Sequence, residues 1–181
     1  MILILGKGTL ANIIAELFDN CTLAGRPEYD FSTKSDCEKL VNQYNPSVVV
    51  NTIGVNKQHD SWDILTTNLV STTYLTERFY NKMIDGIIIN VSSASALWVS
   101  YPDINSEKLF YSFSKECLSQ FGRHWNRKII DSTKPVRVCT LEIGSFPSNF
   151  NGYASGMNLD KIKNSVKSLI DNPLQHMTIV K

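Results

Sequence analysis

The sequence predicts an α/β fold: a parallel sheet wrapped on both faces by helices, three layers in a single domain over residues 1–181. Three observations predict it. Short all-apolar runs recur at 2–5, 48–50 and 87–89, each one strand long and none alternating with polar residues, as strands buried on both faces do. Between them lie longer stretches with the three-to-four-residue apolar spacing of helices. The two kinds alternate, which is the order of parallel strands joined by helical crossovers.

Ile2-Leu3-Ile4-Leu5 reads as the first strand. Gly6-Lys7-Gly8-Thr9-Leu10-Ala11 follows at once, then a helix over Asn12 to Phe18 with apolar residues at 10, 13, 14, 17 and 18 on one stripe. Strand, glycine turn and helix in that order is the context of a G-x-G-x-x-A dinucleotide fingerprint. Gly6 permits the tight turn, Gly8 lets backbone approach a pyrophosphate, and Ala11 lets helix and strand pack closely. The N–H groups of the first helical turn, around Thr9 and Leu10, are offered to the phosphates. The architecture expected is therefore a Rossmann-type, doubly wound sheet.

Cys21-Thr22-Leu23-Ala24 is a second strand, ending in Gly25-Arg26-Pro27. In such folds this end faces the adenosine ribose, where an acid binds a 2′-hydroxyl and an arginine accommodates a 2′-phosphate. Arg26, with Lys7 in the glycine turn, favours NADP(H), with NAD(H) as the alternative; two solvated surface cations are the other reading. Too few residues precede Tyr29-Asp30-Phe31 for a helix, so a third strand there is expected to be vestigial. Ser35 to Glu38 forms a capping box, opening a helix through Tyr44 that stops before Pro46. Val48-Val49-Val50-Asn51 is a strand closing in Thr52-Ile53-Gly54.

Asp60 or Ser61 caps a long helix to about Lys82, with Asn68 and Thr72 on one face. Ile87 to Val91 is a strand running into Ser92-Ser93-Ala94-Ser95. A polar loop spans Tyr101 to Lys108. The next helix carries Tyr111 and Lys115 and continues to Ile129; its stripe Phe113, Cys117, Phe121, Trp125 reads as core or subunit contact. Pro135 to Leu141 is a strand entering Glu142-Ile143-Gly144. A loop (Asn149 to Met157), a helix (Leu159 to Ile170), Asn172-Pro173 and a last strand (Thr178 to Val180) complete the chain. Ligands of such sheets sit at the carboxyl ends of the strands, where every polar motif above falls.

Composition excludes several classes. The chain is 43% apolar and 19% charged with a net charge of +1, which gives no electrostatic case for nucleic acid or an acidic membrane. No apolar run approaches the length of a membrane span. The first residues lack a basic leader and a cleavage site, so a cytoplasmic protein without signal peptide is expected. Cys21, Cys37, Cys117 and Cys139 form no close pair, and His59, His124 and His176 are isolated. Neither disulfides nor a metal site is expected.

Tyr111 and Lys115 lie four apart on one helix face. A fixed ammonium favours a phenolate, so the pair suits proton exchange with an alcohol or carbonyl oxygen near neutral pH. Taken together, Gly6-x-Gly8-x-x-Ala11, Asn51-Thr52-Ile53-Gly54, Asn68, Asn90-Val91-Ser92-Ser93 and Tyr111-x-x-x-Lys115 resemble the short-chain dehydrogenase/reductase family in order and spacing, from Met1 to about Ser148. Arg26 to Asp30 also resembles the second-strand region of the dTDP-4-dehydrorhamnose reductase branch.

The resemblance implies an NADP-dependent oxidoreductase acting on a carbonyl or alcohol, and a homodimer or homotetramer. Tyr111 would be the general acid or base, with Lys115 lowering its pKa and binding the nicotinamide ribose. Ser93 would polarise the carbonyl, with Ser95 as its alternative across a longer loop. Asn68 would hold a water joining Lys115 to solvent. Asn51 and Gly54 would lie beneath the cofactor, Asp30 would contact adenine, and Ile143-Gly144 would flank the nicotinamide. The glycine turn is shorter than the family's, and the region after Gly144 is compressed. A nucleotide-sugar reductase or epimerase, and a cofactor-binding sensor without turnover, are the alternatives.

Overall fold

The computed structural model describes residues 1–56, 60–100, 106–130, 133–148, 156–172 and 177–180. Its strands are β1 (Ile2–Leu5), β2 (Cys21–Ala24), β3 (Val48–Asn51), β4 (Gly86–Ser93), β5 (Val136–Ile143) and β6 (Met177–Val180). They form one six-stranded sheet in the order β2-β1-β3-β4-β5-β6, parallel throughout. Helices α1 (Thr9–Ala15) and α6 (Leu159–Asp171) cover one face, and α2 (Lys34–Gln43), α4 (Ser71–Lys82) and α5 (Ser106–Ile130) the other. Strands β1, β3, β4 and β5 feed both cores: Ile4, Val50, Ile89 and Leu141 face one way, Leu3, Val49, Ile88 and Val138 the other. That double burial is why the strands read as unbroken apolar runs. The order reverses at β1, which has β2 on one side and β3 on the other, so the switch-point crevice opens beside Leu5 and its register partner Asn51.

Local structure departs from the sequence expectation in four places. Helix α1 starts at Thr9, directly on the glycine turn, because Gly8 takes the extended N-cap conformation. Helix α2 is capped by Thr33, not Ser35: its hydroxyl accepts from Asp36 N at 3.3 Å. Tyr29 to Phe31 forms no strand; Asp30 N donates to the Asp36 carboxylate at 2.7 Å, so a turn satisfies backbone that a ladder would otherwise hold. The long helix from 61 to 82 is α3 (Ser61–Leu65) and α4 joined by one π-helical turn, Thr66–Val70, where Ser71 Oγ donates to Thr66 O at 2.8 Å. On α5 the aromatic stripe divides. Trp125 is buried, its ring 4.5 Å from Tyr80 and 5.9 Å from Phe121 between centroids, whereas Phe113 is exposed. Most of the Tyr101–Lys108 and Asn149–Met157 loops, together with His59, His176 and Pro173, lie outside the described residues.

Cations cap helix C-termini where the strands begin. Lys82 donates to Tyr44 O at 2.9 Å and to Val41 O and Asn42 O at the end of α2. Lys134 donates to Tyr80 O and Asn81 O of α4, and Arg137 to Leu169 O, Ile170 O and Asn172 O of α6. Such contacts satisfy carbonyls that the helix leaves open and complement its negative end. None of the four cysteines is in a disulfide. Among the described residues no helix is long and apolar enough to cross a membrane, and no cluster of His, Cys, Asp and Glu is placed to hold a metal ion.

Helix α5 approaches β5 so closely that a Cβ on Gly122 would stand 1.8 Å from Thr140 Oγ1. Gly122→Ala is therefore expected to destabilise the fold by ~1–3 kcal/mol through overpacking. Thr140→Ala in the same chain should recover part of that loss. Urea unfolding of the single and double variants measures both; additive losses would contradict the packing argument.

Candidate active site

Loops at the carboxyl ends of the strands enclose a cavity of about 480 Å³. At one end lies the glycine turn, with Gly6, Lys7, Gly8, Thr9 and Leu10 on the wall. Gly6 has φ 112° and donates its N–H to Ala24 O at 2.7 Å. A Cβ there would meet Thr52 Oγ1 at 2.6 Å, so β1, β2 and β3 converge on a position that only glycine fills. A Cβ on Gly8 would meet nothing within 4 Å, which leaves backbone open to the cavity. Asn12 Nδ2 donates to Gly8 O at 3.2 Å and steadies the turn.

Arg26 and Asp30 line the same end. Arg26 reaches both Asp30 carboxylate oxygens, at 3.1 and 3.2 Å. The Ser32 backbone N–H, then its hydroxyl and Arg26, hold the Asp30 carboxyl below the usual range, opposed by desolvation. Lys7 forms an ion pair with Glu28. Each cation expected at a 2′-phosphate thus already faces a carboxylate.

Thr52, Ile53 and Gly54 form the next stretch of wall. Asn51 stands behind them: it is buried, and its Oδ1 accepts from Ile53 N at 3.1 Å. Asn68 is also set back, fully buried at the centre of the π-helical turn. Its Oδ1 accepts from Val55 N at 2.7 Å, while Nδ2 donates to Val55 O at 2.9 Å and Ser114 Oγ at 3.3 Å. The side chain acts as a two-point clamp on the loop after β3. Both amide hydrogens are engaged, so a water would find the second lone pair of Oδ1.

Tyr111, Lys115 and Ser93 meet at the far end, with Ile143 and Gly144 beside them. Tyr111 hydrogen-bonds with Ser93. Ser95, the alternative to Ser93, lines the cavity beside it and donates to Ser93 Oγ from its N–H at 3.2 Å and its hydroxyl at 2.9 Å. Desolvation pushes the Tyr111 phenol up to about 12, with the Ser93 hydrogen bond pulling the other way. The lysine does not lower it in the free chain. Lys115 Nζ is 5.9 Å from the Tyr111 ring centroid and donates to Val91 O at 3.2 Å. Burial instead brings the lysine itself down to about 8. The pair as found is a neutral phenol beside a strained ammonium: a proton donor more readily than a base.

Sequence reasoning passed over several wall residues, among them Phe31, Val55, Asn56, Thr67 and Ser112. These are apolar or small polar residues whose spacing carries no signature. Lys108, also on the wall, stands three residues before Tyr111, a helical spacing that places both on one face.

No family model matches the chain, and no curated protein does. Solved structures match over nearly its whole length. A short-chain dehydrogenase/reductase from Vibrio parahaemolyticus is 18% identical, with TM-score 0.77, covering 100% of this chain and 98% of that one. A short-chain dehydrogenase from Sphingobium yanoikuyae in complex with NADPH is 14% identical, with TM-score 0.81, over 98% and 86% of the two chains. One from Burkholderia cenocepacia in complex with NADP is 13% identical, with TM-score 0.82, over 99% and 87%. The chain has the fold of the short-chain dehydrogenases/reductases.

Lys115→Met keeps side-chain length and removes the buried charge. Lysine titrates at 10.5 when unperturbed and about 8 here, so the unfolded chain binds more protons between those values and the burial penalty is complete below pH 8. Lys115→Met is expected to be the more stable chain at pH 7, by up to ~3 kcal/mol, with the advantage shrinking as pH approaches 10.5. Urea unfolding at pH 7 and pH 10 checks this; a difference independent of pH would contradict it.

Proposed function

We propose that this protein is an NADP(H)-dependent oxidoreductase interconverting a carbonyl and an alcohol. The observation that carries the reading is one continuous cavity with the glycine turn at one end and the Ser93, Tyr111, Lys115 set at the other. Its residues fit an extended dinucleotide. Backbone at Gly8 is unobstructed, and Gly54 lies on the wall beside Lys115 and Asn68, where a Cβ would be in ordinary contact with Lys115 Nζ at 3.6 Å and Asn68 Oδ1 at 3.7 Å. The Sphingobium and Burkholderia proteins, crystallised with NADPH and NADP, support the choice of nucleotide. The Vibrio protein, of which 98% is covered, is a chain of about this length that carries the family name.

The bound nicotinamide would supply the hydride. Residues of the glycine turn would face the phosphates, Arg26 the 2′-phosphate, Asp30 the adenine, and Ile143-Gly144 the nicotinamide. Arg26 would exchange its contact with Asp30 for the phosphate, an exchange between anions and not a capture by a free cation. Ser93 would donate to the substrate oxygen, and Tyr111 would deliver its proton there. A phenol at about 12 stays protonated across neutral pH, which suits reduction; oxidation would need the phenolate and so would accelerate as pH rises. Lys115, brought toward the substrate oxygen's side by ribose hydroxyls, would lower that value. Asn68 would hold Gly54 and Val55 in place, and its remaining lone pair suits the relay water.

Self-association is part of the proposal. Trp62, Val70, Phe110 and Phe113 are exposed on the segments from α3 to α5, apolar surface that pairing would cover. Static light scattering reads the assembly.

Thermal-shift titration is expected to show stronger stabilisation by NADPH than NADH, and Arg26→Ala is expected to remove the difference. Tyr111→Phe should retain nucleotide affinity while lowering turnover ~10²–10⁴-fold on any carbonyl that the parent reduces. Undiminished turnover in that variant would remove Tyr111 from the proton-donor role.

A further inference from the structure

Of the serine pair that ends β4, Ser93 has a place in the proposed reaction and Ser92 has none. Ser92 is buried, yet it lines the cavity beside Lys115. Its proton is already committed. Ser92 Oγ lies 2.8 Å from Lys115 O, an atom that only accepts, so the Ser92 hydroxyl donates there. A hydroxyl has one proton, so towards Ser119 Oγ, at 3.0 Å, Ser92 Oγ is the acceptor. The chain of hydrogen bonds therefore runs one way, from Ser119 through Ser92 to the backbone of Lys115. The amine of that lysine ends on the preceding residue of β4, donating to Val91 O at 3.2 Å. Lys115 is thus tied at both ends, backbone and amine, to consecutive residues of one strand.

Neighbouring contacts do not duplicate this anchor. Ser114 Oγ donates to Tyr111 O at 2.7 Å, but both residues belong to α5 and move with it. Asn68 holds Ser114 from the π-helical turn, not from the sheet. Among the described residues, Ser92 is the side chain of β4 that hydrogen-bonds to the backbone of α5. An amine on a flexible four-carbon stem meets its partner reproducibly only when the backbone that carries it is fixed.

We propose that Ser92, backed by Ser119, is a positioning residue that holds the backbone of Lys115 so that its amine stands beside Tyr111 for proton transfer. The assignment rests on the oxidoreductase reading above and adds to it a residue that acts through Lys115 and gives no proton to the substrate. Its contribution falls on kcat more than on KM. The titratable group facing the amine is Tyr111, on the same helix. The other elements packed there present no charge: β4 offers Val91 O, the loop after β3 offers Gly54, and the π-helical turn offers Asn68. Burial alone brings the amine down to about 8, so a helix turn released from β4 would admit water and let that value climb toward 10.5.

The test compares the parent with Ser92→Ala, Ser92→Cys, Ser119→Ala and the double alanine variant. Turnover is read with NADPH and the best substrate from a panel of ketones and aldehydes. The lysine is read by NMR titration of lysines labelled at Cε, the Lys115 signal being the one lost in Lys115→Met. Ser92→Ala is expected to lower kcat about tenfold, the size of one hydrogen bond, and to move the Lys115 titration upward. Ser92→Cys, a weaker donor of similar size, should fall between it and the parent. Ser119→Ala should cost less than Ser92→Ala and add nothing to it in the double variant, because Ser119 acts through Ser92. Additive losses, or a Lys115 titration unmoved in Ser92→Ala while the parent turns over, overturn the positioning role and leave the oxidoreductase reading standing. Absence of both NADPH binding and carbonyl turnover in the parent overturns the two together.

Discussion

An ammonium group buried in the protein wall, with one backbone carbonyl as its hydrogen-bond acceptor, is the constraint around which the site is built. Lys115 Nζ reaches Val91 O across the junction of β4 and α5. The same junction is locked from the other direction, for Ser119 Oγ donates to Ser92 Oγ and Ser92 Oγ donates to Lys115 O at 2.8 Å. One residue back, Ser114 is hydrogen-bonded by Asn68, whose other contacts hold the loop after β3. Strand, loop, π-helical turn and helix therefore meet at a group that burial makes unstable as a cation. Folding free energy from two apolar cores holds that charge where water would otherwise solvate it.

The fold was legible because its signals are local. An all-apolar run of four residues, a glycine turn and a helical stripe each report on a few neighbours, and β1, the turn and α1 carry all three in succession. Tyr111, Lys115 and Ser93 were legible for a similar reason: helix spacing fixes the first two on one face, and a strand end presents the third. What sequence reasoning missed depends on partners far along the chain. Asp36 reaches back to Asp30 N and turns a would-be strand into a turn. Glu28 and Asp30 occupy the two cations that in isolation pointed to a 2′-phosphate. The sign of the Tyr111 shift was missed too, since charge proximity can be read from spacing but desolvation cannot.

The π-helical turn shows how such long-range demands reshape a helix. A regular helix from Ser61 to Lys82 suits the apolar spacing, yet Thr66–Val70 is wound more loosely. Asn68 lies in that turn with its amide hydrogen-bonded to backbone from the β3 loop and to a hydroxyl of α5. Single wide turns are frequent where a side chain must be placed against a neighbour, and here the neighbour is the wall of the cavity. The nearby Ser71 Oγ bonds to Thr66 O and Phe31 O, so the loosened turn is tied across to the loop after β2 as well.

Far from the cavity, the capping cations bear on chemical reactivity. Lys82 and Lys134 are partly exposed, but their amines are hydrogen-bonded to helix-end carbonyls. An amine in that state must leave its carbonyls before it can attack an acylating reagent, and leaving uncovers the ends of α2 and α4. Lys161 and Lys167, exposed on α6, face no such barrier. Acylation of the intact protein would then be ordered by helix-end hydrogen bonding more than by exposure, and full acylation of the slow pair would report opening of the sheet's lower rim.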